Sequence, residues 1–170
     1  MKKTLSYRPT AEELSKALDD VYYEIGQLVE MIRPKTGHLA LDNAVLESRL
    51  LHVRNLLEFF ASEAREKDDV LGAHYGFPLS PVRIDSTYTT RLNKDLAHLT
   101  YSRTKQTSIT KGWPVHLVVV PVLERCAEFI AHALKTRSVF ARFGPTEWRA
   151  LEVHIHDSLS NLGKEGEFRS

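Results

Sequence analysis

Pro9-Thr10-Ala11-Glu12-Glu13-Leu14-Ser15-Lys16-Ala17-Leu18-Asp19-Asp20-Val21-Tyr22-Tyr23-Glu24-Ile25-Gly26-Gln27-Leu28-Val29-Glu30-Met31-Ile32 carries apolar residues at 14, 18, 21, 25, 28 and 32. The steps alternate between four and three, which aligns all six on one face of an α-helix. Thr10 and Glu13 have the spacing of a capping box, in which each side chain satisfies a backbone N–H that a helix start leaves unpaired. Arg33-Pro34 ends the helix, because proline disfavours helical backbone in the residue before it. A helix with one apolar seam must bury that seam against other elements, so this stretch predicts a helical bundle.

The same periodicity continues outward. A second helix is expected over about 41–64, with Leu46, Leu50, Val53, Leu57 and Phe60 as its stripe. Val45, Leu56 and Phe59 widen that stripe, which suits a central helix. Gly72, Gly76, Pro78 and Pro81 mark 66–82 as a long connection. A third helix over about 86–103 has Tyr88, Leu92, Leu96 and Leu99 on its core face. Gly112-Trp113-Pro114 introduces a fourth over about 114–136, and Pro121 implies a kink or a late start there. Val118-Val119-Val120 is β-branched and alternatively reads as a short strand. Gly144-Pro145-Thr146 opens a fifth over about 146–162, where Trp148, Leu151, Ile155, Leu159 and Leu162 align and Gly163 stands as terminator. Residues 164–170 are expected to fray. The expected fold is all-α: a single domain over 1–170, an up-and-down bundle of about five helices, with no internal repeat.

Composition bounds the function classes. At 170 residues, 42% hydrophobic and 26% charged, the chain can bury a core and does not read as disordered. A formal net charge of +1 argues against a dedicated basic nucleic-acid coat but permits a local patch. Cys126 is the only cysteine, which excludes an intrachain disulfide and a cysteine zinc cluster. Its place in the fourth-helix stripe makes it a packed small hydrophobe. The opening Met1-Lys2-Lys3-Thr4-Leu5-Ser6-Tyr7 has no apolar run behind its lysines, so no secretory signal is expected. The most apolar stretch, 115–123, falls short of the roughly 20 residues needed to span a bilayer. A cytoplasmic location without membrane association is therefore expected. Neither a Gly-x-Ser-x-Gly elbow nor a phosphate-cradling glycine loop is present.

The third helix carries the constellation with chemical potential. Arg91 and His98 are seven residues apart and point within about 20° of one another on a helix. Asp95 lies on the same side and Lys94 flanks it. Between 83 and 111 six basic residues (Arg83, Arg91, Lys94, Arg103, Lys105, Lys111) face two acids (Asp85, Asp95), whereas 11–30 has six acids against Lys16. Histidine can take or give a proton near neutral pH. A guanidinium can clamp a phosphate and stabilise the charge that builds in the transition state. With a ribose 2′-hydroxyl as nucleophile, such a pair cleaves RNA without metal or other cofactor. The bland alternative is a solvated face, with Asp95 paired to Arg91 or Lys94.

Eight histidines raise a metal-binding bundle as a further alternative. His154 and His156 diverge by about 200° on a helix and cannot share one ion. Glu128 and His132 share a face, and His52, His98 and His132 could converge from three helices. No metal ligand set is expected from these spacings. Trp113 and Trp148 each open a helix as packing anchors, and either could stack on a base.

Arg91-x(6)-His98 on a late helix resembles the Arg-x(4–6)-His motif of the HEPN superfamily. Two stretches also resemble prokaryotic members: Leu51-His52-Val53-Arg54-Asn55-Leu56-Leu57-Glu58-Phe59-Phe60 and Arg91-Leu92-Asn93-Lys94-Asp95-Leu96-Ala97-His98-Leu99-Thr100-Tyr101. The resemblance covers about residues 10–140. It implies a four- or five-helix bundle that forms a homodimer, with two motifs facing a shared cleft. It further implies a ribonuclease of toxin, abortive-infection or other defence type, paired in some cases with an antitoxin or other protein partner. Carried over by position, Arg91 and His98 are the catalytic pair, and Asn93, Lys94, Asp95, Tyr101 and Arg103 bind substrate or support them. Active members usually have a polar residue (Asn, Asp or His) directly after the motif arginine, where this chain has Leu92. Arg54-Asn55 has that polar follower without a histidine at the required distance. The alternative is thus an inactive interaction or nucleotide-binding module, for which the first helix's seam, with Tyr22 and Tyr23 beside it, offers a face.

Overall fold

The computed structural model describes residues 7–32, 36–64, 66, 68–94, 96, 112–136 and 140–167, with the side chains of the last helix described through Leu162. Among the described residues six helices follow in order: α1 (Ala11–Glu30), α2 (Leu39–Phe59), α3 (Ser86–Lys94), the single turn α4 (Val115–Val118), α5 (Val120–Thr136) and α6 (Pro145–Glu167). A 3-10 turn at Gly72–Tyr75 lies between α2 and α3. The fold is an all-α bundle, and no strand occurs among the described residues. No described helix is long and apolar enough to cross a membrane.

The α1 start is capped as its sequence requires. Glu13 N–H donates to Thr10 Oγ1 at 3.2 Å, and Thr10 N–H donates to Glu13 Oε2 at 2.7 Å. Leu18, Val21, Ile25 and Leu28 of the seam are buried, joined by Val29. Leu14 and Ile32, at the two ends, are partly exposed.

Around Pro121 the backbone breaks for a covalent reason. Proline has no N–H to give the carbonyl four residues back. α4 therefore stops at Val118, Val119 turns, and α5 resumes at Val120. The valine run at 118–120 is thereby helix and turn, not strand.

α5 is the central element, touching α1, α2, α4 and α6, whereas α2 touches α1, α3 and α5. Its Val122, Leu123, Cys126, Phe129, Ile130 and Ala133 are all fully buried. Phe129 is the hub. Its ring meets Phe59 (centroids 4.9 Å apart), Phe77 (5.4 Å), Tyr75 (5.8 Å), Phe60 (6.2 Å) and Trp148 (6.3 Å). Each such edge-on pair adds about 0.5–1.5 kcal/mol to the area it buries. Burial also pushes the Cys126 thiol well above its ordinary pKa, leaving it a packing group.

Several expected boundaries move. α2 ends at Phe59, not near 64, and Phe60 caps it with its N–H on Leu56 O. α6 passes through Gly163 to Glu167, so the expected terminator and the 164–167 part of the expected frayed tail are helix, while 168–170 lie outside the described residues. A helical glycine costs only about 1 kcal/mol, less than the bonds that continued helix retains. The connection after α2 is packed into the core: Leu71 and Phe77 are buried, and Tyr75 Oη donates to Leu14 O at 2.9 Å. Gly76 turns the chain there with φ +70°, a backbone that side chains disfavour.

Candidate functional site

α3 begins at a side-chain cap. Asp85 Oδ1 accepts the Thr87 N–H at 2.7 Å, and this bond holds the carboxyl below its ordinary pKa. Leu92 is buried and locks the helix to the bundle. With Leu92 turned inward, Arg91 is carried to the margin of the core, where it is half-buried.

The Arg91 guanidinium lies 4.1 Å from the centroid of the Trp113 ring and donates from Nη1 to Gly112 O at 3.2 Å. Tyr88, one turn earlier, packs beside the same tryptophan at 6.4 Å. These residues form one wall of an open groove with about 1060 Å³ of space, completed by Arg83, Asp85 and His116 among others. That size is at the upper limit of small-molecule pockets, and the open shape suits an extended chain better than an enclosed metabolite. Arg83, Asp85 and His116 are exposed. The groove combines guanidinium groups with indole and phenol rings, the chemistry that holds phosphates and stacks on unpaired bases.

Of the residues expected to form the site, Arg91, Asn93 and Lys94 are described, while Asp95, His98, Tyr101 and Arg103 lie outside the described residues. Asn93 is not brought to Arg91. Two positions apart on a helix they diverge by about 200°, and Asn93 lines a separate cleft of about 270 Å³ with Arg54, Glu58, Glu63 and Asp69. Lys94 is exposed in the last turn. Trp148 is 1% exposed inside the core and cannot stack on a base, whereas Trp113 opens onto the groove. Tyr22 likewise packs inward, stacked on Phe143 at 4.1 Å, while Tyr23 is exposed.

Three of the other histidines are held by the fold. His52, 6% exposed, donates from Nδ1 to Glu24 Oε2 at 2.8 Å, and Asn55 Nδ2 donates to the same oxygen at 3.1 Å. His132 Nε2–H donates to Tyr75 O at 3.0 Å and pins the 3-10 turn to α5. His74 Nδ1 accepts the Leu71 N–H at 3.3 Å, and burial pulls its pKa down. Glu128 is paired with Arg125, not with His132. Among the described residues no group of three or more His, Cys, Asp or Glu could hold a metal ion.

Sequence reasoning missed the Arg91–Trp113 stack and the place of His116 on the same groove. The available signals were Gly112-Trp113-Pro114 ahead of a helix and the basic excess beginning at Arg83. Compared with known protein families, curated proteins and solved structures, the chain has no match.

Proposed function

We propose that this chain is a HEPN-like, metal-independent endoribonuclease of defence or toxin type, acting as a homodimer on RNA bound along the Arg91 groove. The observation that supports it most is Arg91 on the wall of an open groove that also holds Arg83, Tyr88 and Trp113. Arg91 binds the scissile phosphate and stabilises its developing charge. His98 moves the proton of the 2′-hydroxyl, and Lys94, Asp95, Tyr101 and Arg103 support the pair. Arg83 takes a neighbouring phosphate, and the aromatic rings receive an unstacked base.

The test is cleavage of labelled single-stranded RNA by the purified protein and by Arg91→Ala and His98→Ala. Losing the imidazole is expected to slow cleavage about 10²- to 10⁴-fold. Relief of toxicity on expression by either substitution is the cellular counterpart. Equal cutting by parent and His98→Ala, or no cutting of any RNA by the parent, refutes a nuclease role.

One observation favours a second reading, an inactive nucleotide-binding or interaction module. The Arg91 contacts with Trp113 and Gly112 brace α3 against the start of α4. RNA binding by the parent without cleavage is its signature.

A further inference from the structure

Transesterification of RNA moves two protons. As the 2′ oxygen attacks phosphorus it sheds one, and as the bond from phosphorus to the 5′ oxygen breaks that oxygen gains one. A single imidazole at the nucleophile leaves the departing alkoxide without an acid, and an alkoxide is a poor leaving group in water. A second proton-transfer group in the Arg91 groove removes that barrier.

The described histidines differ sharply in availability. His52, His74 and His132 are each held by a carboxylate or a backbone group, and His38 precedes α2. His154 and His156 lie on α6 and line neither cleft described above. His116 is different: it is exposed on the single turn of α4, three residues after Trp113, and opens onto the groove that contains Arg91. Pro114 and the break at Pro121 fix that turn, and Val118 and Val119 behind it are fully buried. An exposed imidazole on a turn anchored by two buried valines is positioned without being occupied by the fold.

We propose that His116 is the general acid of the groove, giving its proton to the 5′ oxygen as the phosphorus–oxygen bond breaks. The 2′ oxygen–phosphorus bond forms as the 5′ one breaks, a cyclic phosphate and a 5′-hydroxyl result, and no oxidant or further reactant is consumed. His98 then gives the 2′-hydroxyl proton to water and water returns one to the His116 imidazole, so both groups are reset. This rests on the nuclease function proposed above, and it assigns to His116 a step distinct from that of Arg91 and His98.

The experiment compares two substrates: an ordinary RNA dinucleotide and the same dinucleotide with sulfur in place of the 5′ leaving oxygen. A thiolate departs without a proton. His116→Ala is expected to cut the ordinary substrate about 10²- to 10⁴-fold more slowly than the parent, and to cut the sulfur substrate within a few-fold of the parent rate. Circular dichroism and the Tm of the variant serve as the folding control, and His116→Gln is the second variant. Unchanged cleavage of the ordinary substrate overturns the assignment. Equal loss on both substrates also overturns it, since that marks a binding or positioning role. A parent that binds RNA but cuts neither substrate removes the nuclease function itself, and the assignment falls with it.

Discussion

Replacing Arg91 tests whether its guanidinium braces α3 to the segment before α4. A cation over an indole face contributes about 0.5–1 kcal/mol at exposed sites and about 2 when desolvated. Arg91 is half-buried at 4.1 Å from the ring, so about 1 kcal/mol is assigned to the stack. Its bond to Gly112 O has a charged donor and a neutral acceptor, and adds about 1 kcal/mol more. Arg91→Ala should therefore lose about 2 kcal/mol, which lowers Tm by roughly 4–8 °C in a chain of this size. The decisive measurement is a double-mutant cycle of Arg91→Ala and Trp113→Ala followed by urea denaturation. The pair should show about 1 kcal/mol of coupling, because each single change removes the same stack. Arg91→Lys keeps the charge but not the flat face, and should recover less than half of it. Additive losses, within about 0.3 kcal/mol, would show that the stack contributes nothing to stability.

Phe129→Ala removes the ring at the centre of five aromatic contacts, and the loss should be about 3–5 kcal/mol by chemical denaturation. Gly76→Ala places a methyl group 3.9 Å from His132 Nε2, an ordinary contact, so only the φ of +70° opposes it. Its cost should be about 1–2 kcal/mol in the same assay, and a larger figure would mean that the His132 bond to Tyr75 O is also lost. Glu13 is held below its ordinary value of 4.5 by the Thr10 N–H first, then by the Tyr7 and Thr10 hydroxyl groups. A lowered folded-state pKa supplies stability above that value and loses it as pH falls through the folded pKa. Tm measured from pH 6 to pH 3 should thus fall more steeply for the parent than for Glu13→Gln, and parallel curves would refute the cap's electrostatic part.

The helical class was legible along the chain because each helix announces itself within its own length. The four-and-three steps from Leu14 to Ile32, the Thr10–Glu13 cap and the Gly144-Pro145 start depend on neighbours three or four residues away. Those local rules hold wherever the helix ends up. Arg91 was legible for the same reason, since its place beside Leu92 sets it at the edge of a buried stripe. Helix ends were less so. α2 stops at Phe59 where the core requires Phe60 to turn, and α6 runs through Gly163. At both places the energy of a local signal is smaller than that of the packing or helix bonds around it.

The composition of the groove could not be read from spacing. Trp113 stands 22 positions from Arg91, and no periodicity links an arginine on α3 to an indole before α4. Equally, Arg91 and Asn93 are near neighbours in the chain yet open onto separate clefts. Two tryptophans that each precede or open a helix look alike as letters. Trp148 lies in the core because Tyr22 of α1, Phe129 of α5 and Phe140 close over it, whereas Trp113 meets Tyr88 and Arg91 of α3 on the wall of the groove. Local hydrogen bonding and the hydrophobic stripe determine which segments coil. The side chains that then meet across a groove depend on how the finished helices pack, through contacts whose partners are distant in the chain and separately weak.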